Sequence, residues 1–190
     1  MSNIFKSLLI KPNMPDDLKD LINKGITLKK VKKGDTLQLK GDRVINDYYV
    51  RKGLLRSYTI DEKGKEHIFM FASEDWLMSD IESQVFNKTA ELYIDALEDS
   101  EIEMIDRKAF RNVDTAKYFD GNELNKLLKR VAVLQRRVLL LMSATAMERY
   151  EHFLETYPNI VQRVPQKMIA SYLGITPEGL SKIRGQRVKK

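Results

Sequence analysis

Five tight corners divide residues 27–105 into short segments, and this spacing constrains the chain more than any other feature. They are Lys33-Gly34-Asp35, Lys40-Gly41-Asp42, Arg51-Lys52-Gly53, Lys63-Gly64-Lys65 and Ser73-Glu74-Asp75. Glycine supplies positive φ at such corners, and aspartate bonds back to its own backbone. Between the corners, and after the last, lie YYV, LLRSYTI, HIFMFA, ELYIDAL and EIEMI, rich in β-branched and aromatic residues. Short strands at this spacing predict an antiparallel sandwich or barrel. Tyr48 and Val50, then Ile102 and Met104, alternate as in strands buried on one face. Ahead of them, Leu18, Leu21 and Ile22 follow Pro15-Asp16-Asp17 with helical spacing.

After Asp106 the pattern changes period. Asp120-Gly121-Asn122 reads as a turn and cap, and a long helix follows. Leu124, Leu127, Val131, Leu134, Val138 and Leu141 recur at 3,4,3,4,3 spacing, an a/d seam of nearly three heptads. A seam this narrow marks a helix paired with a copy of itself, and these six residues are the expected dimer interface. Leu139, Leu140 and Met142 widen the stripe near its end, where the helix also packs on its own subunit. Read to Tyr157, the helix has roughly 35 residues and spans about 50 Å. The alternative is one long helix packed entirely within its own subunit.

Tyr157-Pro158-Asn159 then breaks the helix. The run from Pro165 to Gly185, PQKMIASYLGITPEGLSKIRG, reads as two short helices joined by a tight turn. Ala170 is small where the helices approach, Gly174 supplies the turn, and Leu180 closes the core from the second helix. Ile169, Leu173, Ile175 and Ile183 flank them. This is the spacing of a helix-turn-helix. Thr176 can cap the second helix, Pro177 suits its first position, and Glu178 suits the positive end of its dipole. Pro177, Glu178, Ser181 and Lys182 point away from Leu180 and Ile183, and so toward base edges: Lys182 to a guanine, Glu178 to a cytosine amine. Gln166, Lys167, Thr176 and Arg184 stand where phosphate contacts fix the docking. A helical hairpin used for protein contact is the competing reading.

Charge falls in the same place. The net charge of the 190 residues is +6. Ile160–Lys190 holds seven basic residues and one acid, Glu178, whereas the first 159 residues carry 26 of each sign. A neutral body with a basic end points to a polyanion at that end. With 43% hydrophobic and 32% charged residues, the chain is long enough for one compact domain or two small ones. It has no cysteine, which excludes disulfides, thiolate iron–sulfur ligation and a cysteine nucleophile. Two histidines, His67 and His152, are too few for an imidazole metal cluster. A cupin-like enzyme needs clustered His and carboxylate ligands, and only His67 lies in the β region. No Walker loop or Ser/His/Asp arrangement stands out, so an enzyme is not expected. The N-terminus is too weakly apolar for a signal peptide. No stretch approaches the about 18 apolar residues of a membrane span, and the expected location is the cytoplasm.

Together, the roll-like turns, the motif from Tyr49 through Gly53 to Tyr58, the long helix and the terminal helix-turn-helix resemble the Crp/Fnr family of bacterial transcription regulators. PQKMIASYLGITPEGLSKIR is especially similar to its Bacteroidetes-type members. The resemblance implies an α+β fold: an antiparallel β-roll (a double-stranded β-helix of cyclic-nucleotide-binding type) over 1–120, a central dimerisation helix and hinge over 121–157, and a DNA-binding helix-turn-helix over 158–190. It implies a homodimer that binds a palindromic promoter site on double-stranded DNA and works with RNA polymerase. It also implies an effector pocket in the roll, here lined by Phe69, Phe71, Ser79, Asp80, Lys88 and Thr89.

Three departures bear on that pocket and on the DNA. Where cyclic-nucleotide binders carry Gly-Glu and Arg-Ser/Thr-Ala, this chain has Met78-Ser79-Asp80 and Lys88-Thr89-Ala90. Lysine lacks arginine's planar fork, so a cyclic nucleotide is disfavoured as ligand and no cofactor is assigned. Pro177 replaces an arginine of the better-known recognition helix. The wing before the helix-turn-helix shrinks to Asn159–Val164. The alternatives are a β-roll sensor module, or a DNA binder that needs no effector.

Overall fold

The computed structural model describes residues 10, 14–43, 46–110 and 121–188, which fall into two compact units. The first comprises residues 1–63 and 69–118, the second residues 64–68 and 119–190.

The first unit is an antiparallel roll preceded by helix α1 (Asp16–Gly25). Its strands are β1 (Ile26–Val31), β2 (Thr36–Gln38), β3 (Asn46–Lys52), β4 (Leu55–Ile60), β5 (Glu66–Ala72), β6 (Leu77–Met78), β7 (Tyr93–Ala96) and β8 (Ser100–Asp106). The start of β5 is counted with the second unit. The strands form two four-stranded sheets, ordered β1-β8-β3-β6 and β2-β7-β4-β5. This is the α+β architecture expected from the sequence. Each of the five corners places one residue at positive φ: Gly34, Gly41, Gly53, Gly64 and Asp75. The roll is filled by Val31, Tyr48, Val50, Leu55, Ala72, Met78, Ile94, Ala96 and Ile102.

One expectation fails in β3. Tyr48 and Val50 do face the core, but Tyr49 between them is buried as well. The outer face of this sheet is not left to solvent: α1 packs on it through Leu18 and Ile22 against Ile26 and Ile105, with Leu77 beside them. Tyr49 finds a partner for its hydroxyl, which donates to Asp75 at 2.8 Å. Burial and the Asp75 carboxylate push its ionisation well above the usual tyrosine range.

Helix α2 (Ile81–Val85) is a single turn between β6 and β7. In the second unit follow α3 (Gly121–Ser143), α4 (Ala146–Thr156), α5 (Gln166–Leu173) and α6 (Pro177–Val188). The single helix predicted through Tyr157 is thus two. Thr145 takes an extended backbone and caps α4. Its Oγ1 accepts from the Glu148 N–H at 3.3 Å, while its own N–H donates to Glu148 Oε2 at 2.7 Å. This capping box satisfies α4's first donors and stops α3 without a glycine or proline. The two hydrogen bonds from Thr145 hold the Glu148 carboxyl below its usual range.

Of the seam, Val131, Val138 and Leu141 are exposed and Leu134 is half-buried, whereas Leu140 is buried. The side chains of Leu124 and Leu127 lie outside the described residues, as does Asp120. Residues 159–164 form turns rather than wing strands. No helix of the described residues is long and apolar enough to cross a membrane.

Candidate nucleic-acid interface

The last two helices are set by their connecting turn. Gly174 adopts φ 67° and ψ 35°, and the Ile175 N–H reaches back to the Ala170 carbonyl at 3.0 Å. This left-handed stop is one that a side chain would strain. Thr176 then starts α6, its Oγ1 accepting from the Gly179 N–H at 3.1 Å, and Pro177 is the first helical residue. Ile169, Ala170, Leu173, Leu180 and Ile183 are buried together. Beneath them an aromatic tripod of Phe153, Tyr157 and Tyr172 has ring centroids 5.2–5.6 Å apart. Ile160 and Val164 complete this core.

The core orients the outer face of α6. Pro177, Glu178, Ser181 and Lys182 are all exposed, Leu180 and Ile183 being turned inward. Gln166, Lys167 and Thr176 are exposed at the starts of the two helices, and Arg184 is half-buried. Arg149 was not singled out by the sequence. Its Nη1 donates at 2.8 Å to the carbonyl of Leu173, in the last turn of α5, where a cation is favoured. Arg137 does the same for Tyr172 at 3.2 Å. Neither was legible locally, because each partner lies more than twenty residues along the chain.

In the roll, the six residues expected to line a pocket are dispersed between core and surface. Phe71 is fully buried, whereas Phe69 is on the surface. Asp80 is 2% exposed and its carboxylate is committed within the protein. Oδ2 accepts from the Glu91 and Leu92 N–H groups at 3.1 Å each and from Gln38 Nε2 at 3.3 Å. Oδ1 caps α2 through the Ser83 N–H. Asp80 therefore ties together the two ends of the segment from 80 to 92. Ser79 is half-buried beside it, and Lys88 and Thr89 are exposed. Lys88 Nζ sits 3.9 Å from Glu82 and 5.5 Å above the Phe86 ring. No metal-binding cluster of His, Asp and Glu occurs among the described residues.

Residues 28–115 match the family model of the cyclic nucleotide-binding domain. The chain is 28% identical over 182 residues to the transcriptional activator protein FnrA of Stutzerimonas stutzeri, covering 88% of this chain and 72% of that protein. Among solved structures, a transcriptional regulator of the Crp/Fnr family from Eubacterium rectale superposes with a TM-score of 0.68 at 18% identity, covering 93% of this chain and 85% of that one. FixK2 from Bradyrhizobium japonicum gives 0.66 at 22% identity over 85% and 83%. At such identities the two structures speak for the fold.

Proposed function

This chain belongs to the Crp/Fnr family of transcription regulators, and from that premise we propose that it acts as a homodimer reading a palindromic site on double-stranded DNA. One observation carries the reading: the exposed face of α6, with Pro177, Glu178, Ser181 and Lys182, sits in the stretch that holds the chain's entire excess of positive charge. The dimer forms along α3, where Val131, Val138 and Leu141 are apolar and exposed. Two heads held this way meet half-sites about 34 Å apart. RNA polymerase is the partner through which the bound dimer acts on transcription.

The test begins with the full chain and a random-sequence duplex library. A palindrome should emerge, and its affinity should fall steeply with rising salt as counterions are released. Lys182→Ala should then cost about 1–3 kcal/mol on the selected duplex and far less on random DNA. Equal loss on both would remove Lys182 from base reading.

For the roll we favour a regulator that does not take a cyclic nucleotide. The supporting observation is Asp80, whose carboxylate is consumed by four protein donors at the position where nucleotide-binding relatives place their ribose-binding pair. Cyclic AMP or cyclic GMP at millimolar concentration should leave the melting temperature of the full chain unchanged. A saturable rise would overturn this reading, because any ligand of the folded state must stabilise it.

A further inference from the structure

We propose that Arg137 and Ser171 are positioning residues that brace the reading head against the seam helix, and so set the distance between the two half-sites the dimer accepts. The proposal rests on the homodimer reading above. Its ground is the joint between α3 and α4. Only Ala144 and Thr145 separate these helices, and Thr145 has left the helical conformation at φ −66°, ψ 161°. A two-residue joint of this kind leaves the angle between its helices to whatever bridges it.

Three residues of the second unit supply the bridge. Arg137 lies within α3, nearly two turns before its end. Its Nη2 donates to the carbonyls of Ile68 at 3.1 Å and of Tyr172, in α5. The guanidinium also lies 4.0 Å from the centre of the Tyr172 ring, which is wedged in the aromatic tripod of the head. Ser171, the preceding residue of α5, donates through Oγ to the Glu66 carbonyl at 2.9 Å and accepts the Ile68 N–H at 3.0 Å. One arginine and one hydroxyl therefore join α3, α5 and residues 66–68 at a single node. Planar, multiply bonded arginine is suited to such a fixed geometry, where lysine is not.

Rigidity at this node has a consequence for DNA. Each added base pair moves one half-site by about 3.4 Å and turns it by roughly 35°. Heads braced to a paired helix can follow neither change, whereas heads on a loose joint can. When geometry forbids simultaneous engagement, the gain from the second head is lost.

The experiment uses the duplex selected by the wild-type full chain. Affinities are measured for it, for versions with the half-sites moved apart or together by one and two base pairs, and for one half-site alone. Wild type should lose at least about tenfold for a two-base-pair change. Arg137→Met should bind the parent duplex several-fold more weakly and lose most of that discrimination, with half-site affinity unchanged. Ser171→Ala should shift in the same direction to a smaller degree. A head that merely unfolds would lose the half-site as well; should Arg137→Met do so, Ser171→Ala decides the matter. Variants as discriminating as wild type would overturn the brace alone. Failure of wild type to select any duplex would overturn the DNA-reading function beneath it.

Discussion

Gly53→Ala should destabilise the roll by about 4 kcal/mol, the sum of a torsional and a steric penalty. Gly53 turns the corner between β3 and β4 at φ +105°. A Cβ there would stand 2.6 Å from the Ser100 Cβ and 2.8 Å from its Cα. Ser100 cannot move aside, because its Oγ accepts the Leu54 N–H and donates to the Glu98 carbonyl at 2.7 Å. The corner is held on its other side as well, with the Gly53 N–H bonded to Glu74 Oε1 at 2.9 Å. Urea unfolding of the full chain, followed by β-sheet circular dichroism, should show the midpoint falling with little change in slope. Adding Ser100→Gly to the variant should recover part of the loss, since the Cβ clash goes while the torsional penalty stays. No recovery would mean that packing against Ser100 is not the cause.

Arg56→Met should cost about 3–5 kcal/mol, the usual result of stranding one member of a buried ion pair. Arg56 and Asp95 face each other directly across β4 and β7, and Nε and Nη2 meet the two carboxylate oxygens at 2.8 and 2.9 Å. Their side chains are 8% and 13% exposed. The guanidinium also lies 4.1 Å above the Tyr58 ring, itself stacked on Tyr93 at 5.2 Å. Two cross-strand pairs thus cooperate on one face of the sheet. The decisive measurement is the double variant Arg56→Met, Asp95→Leu. Removing both charges should restore most of the stability, because the penalty is the lone carboxylate and not the missing attraction. A double variant as unstable as the single would place the cost in lost aromatic packing instead.

These two sites also show how far the sequence could be read. The corner at Gly53 was legible, because positive φ is a local demand met by a local residue. So was the left-handed stop at Gly174, and so were the buried positions Ile169, Ala170, Leu173 and Leu180. The Arg56–Asp95 pair was not, since nothing near Arg56 names a partner 39 residues away. The node at Ser171 was equally silent, its two backbone partners lying more than a hundred residues upstream. The break after Ser143 did have a local signature, Thr145 followed by Glu148, but the apolar spacing ran up to it and masked it. Phe69 and Phe71 share a strand face by period, yet burial differs along that face, and alternation alone carries no such information.

Proline at the first position of α6 also decides what that helix offers an anion. It brings no amide hydrogen, the next amide belongs to a residue bearing its own carboxylate, and that of Gly179 is already taken by Thr176. The positive pole of this helix is therefore largely muted. That of α5 is not, for it opens after Pro165 with no side chain capping its amides and with Lys167 in its first turn. A polyanion lying across both would be gripped by the earlier helix, leaving the later one free to discriminate by shape and hydrogen bonding.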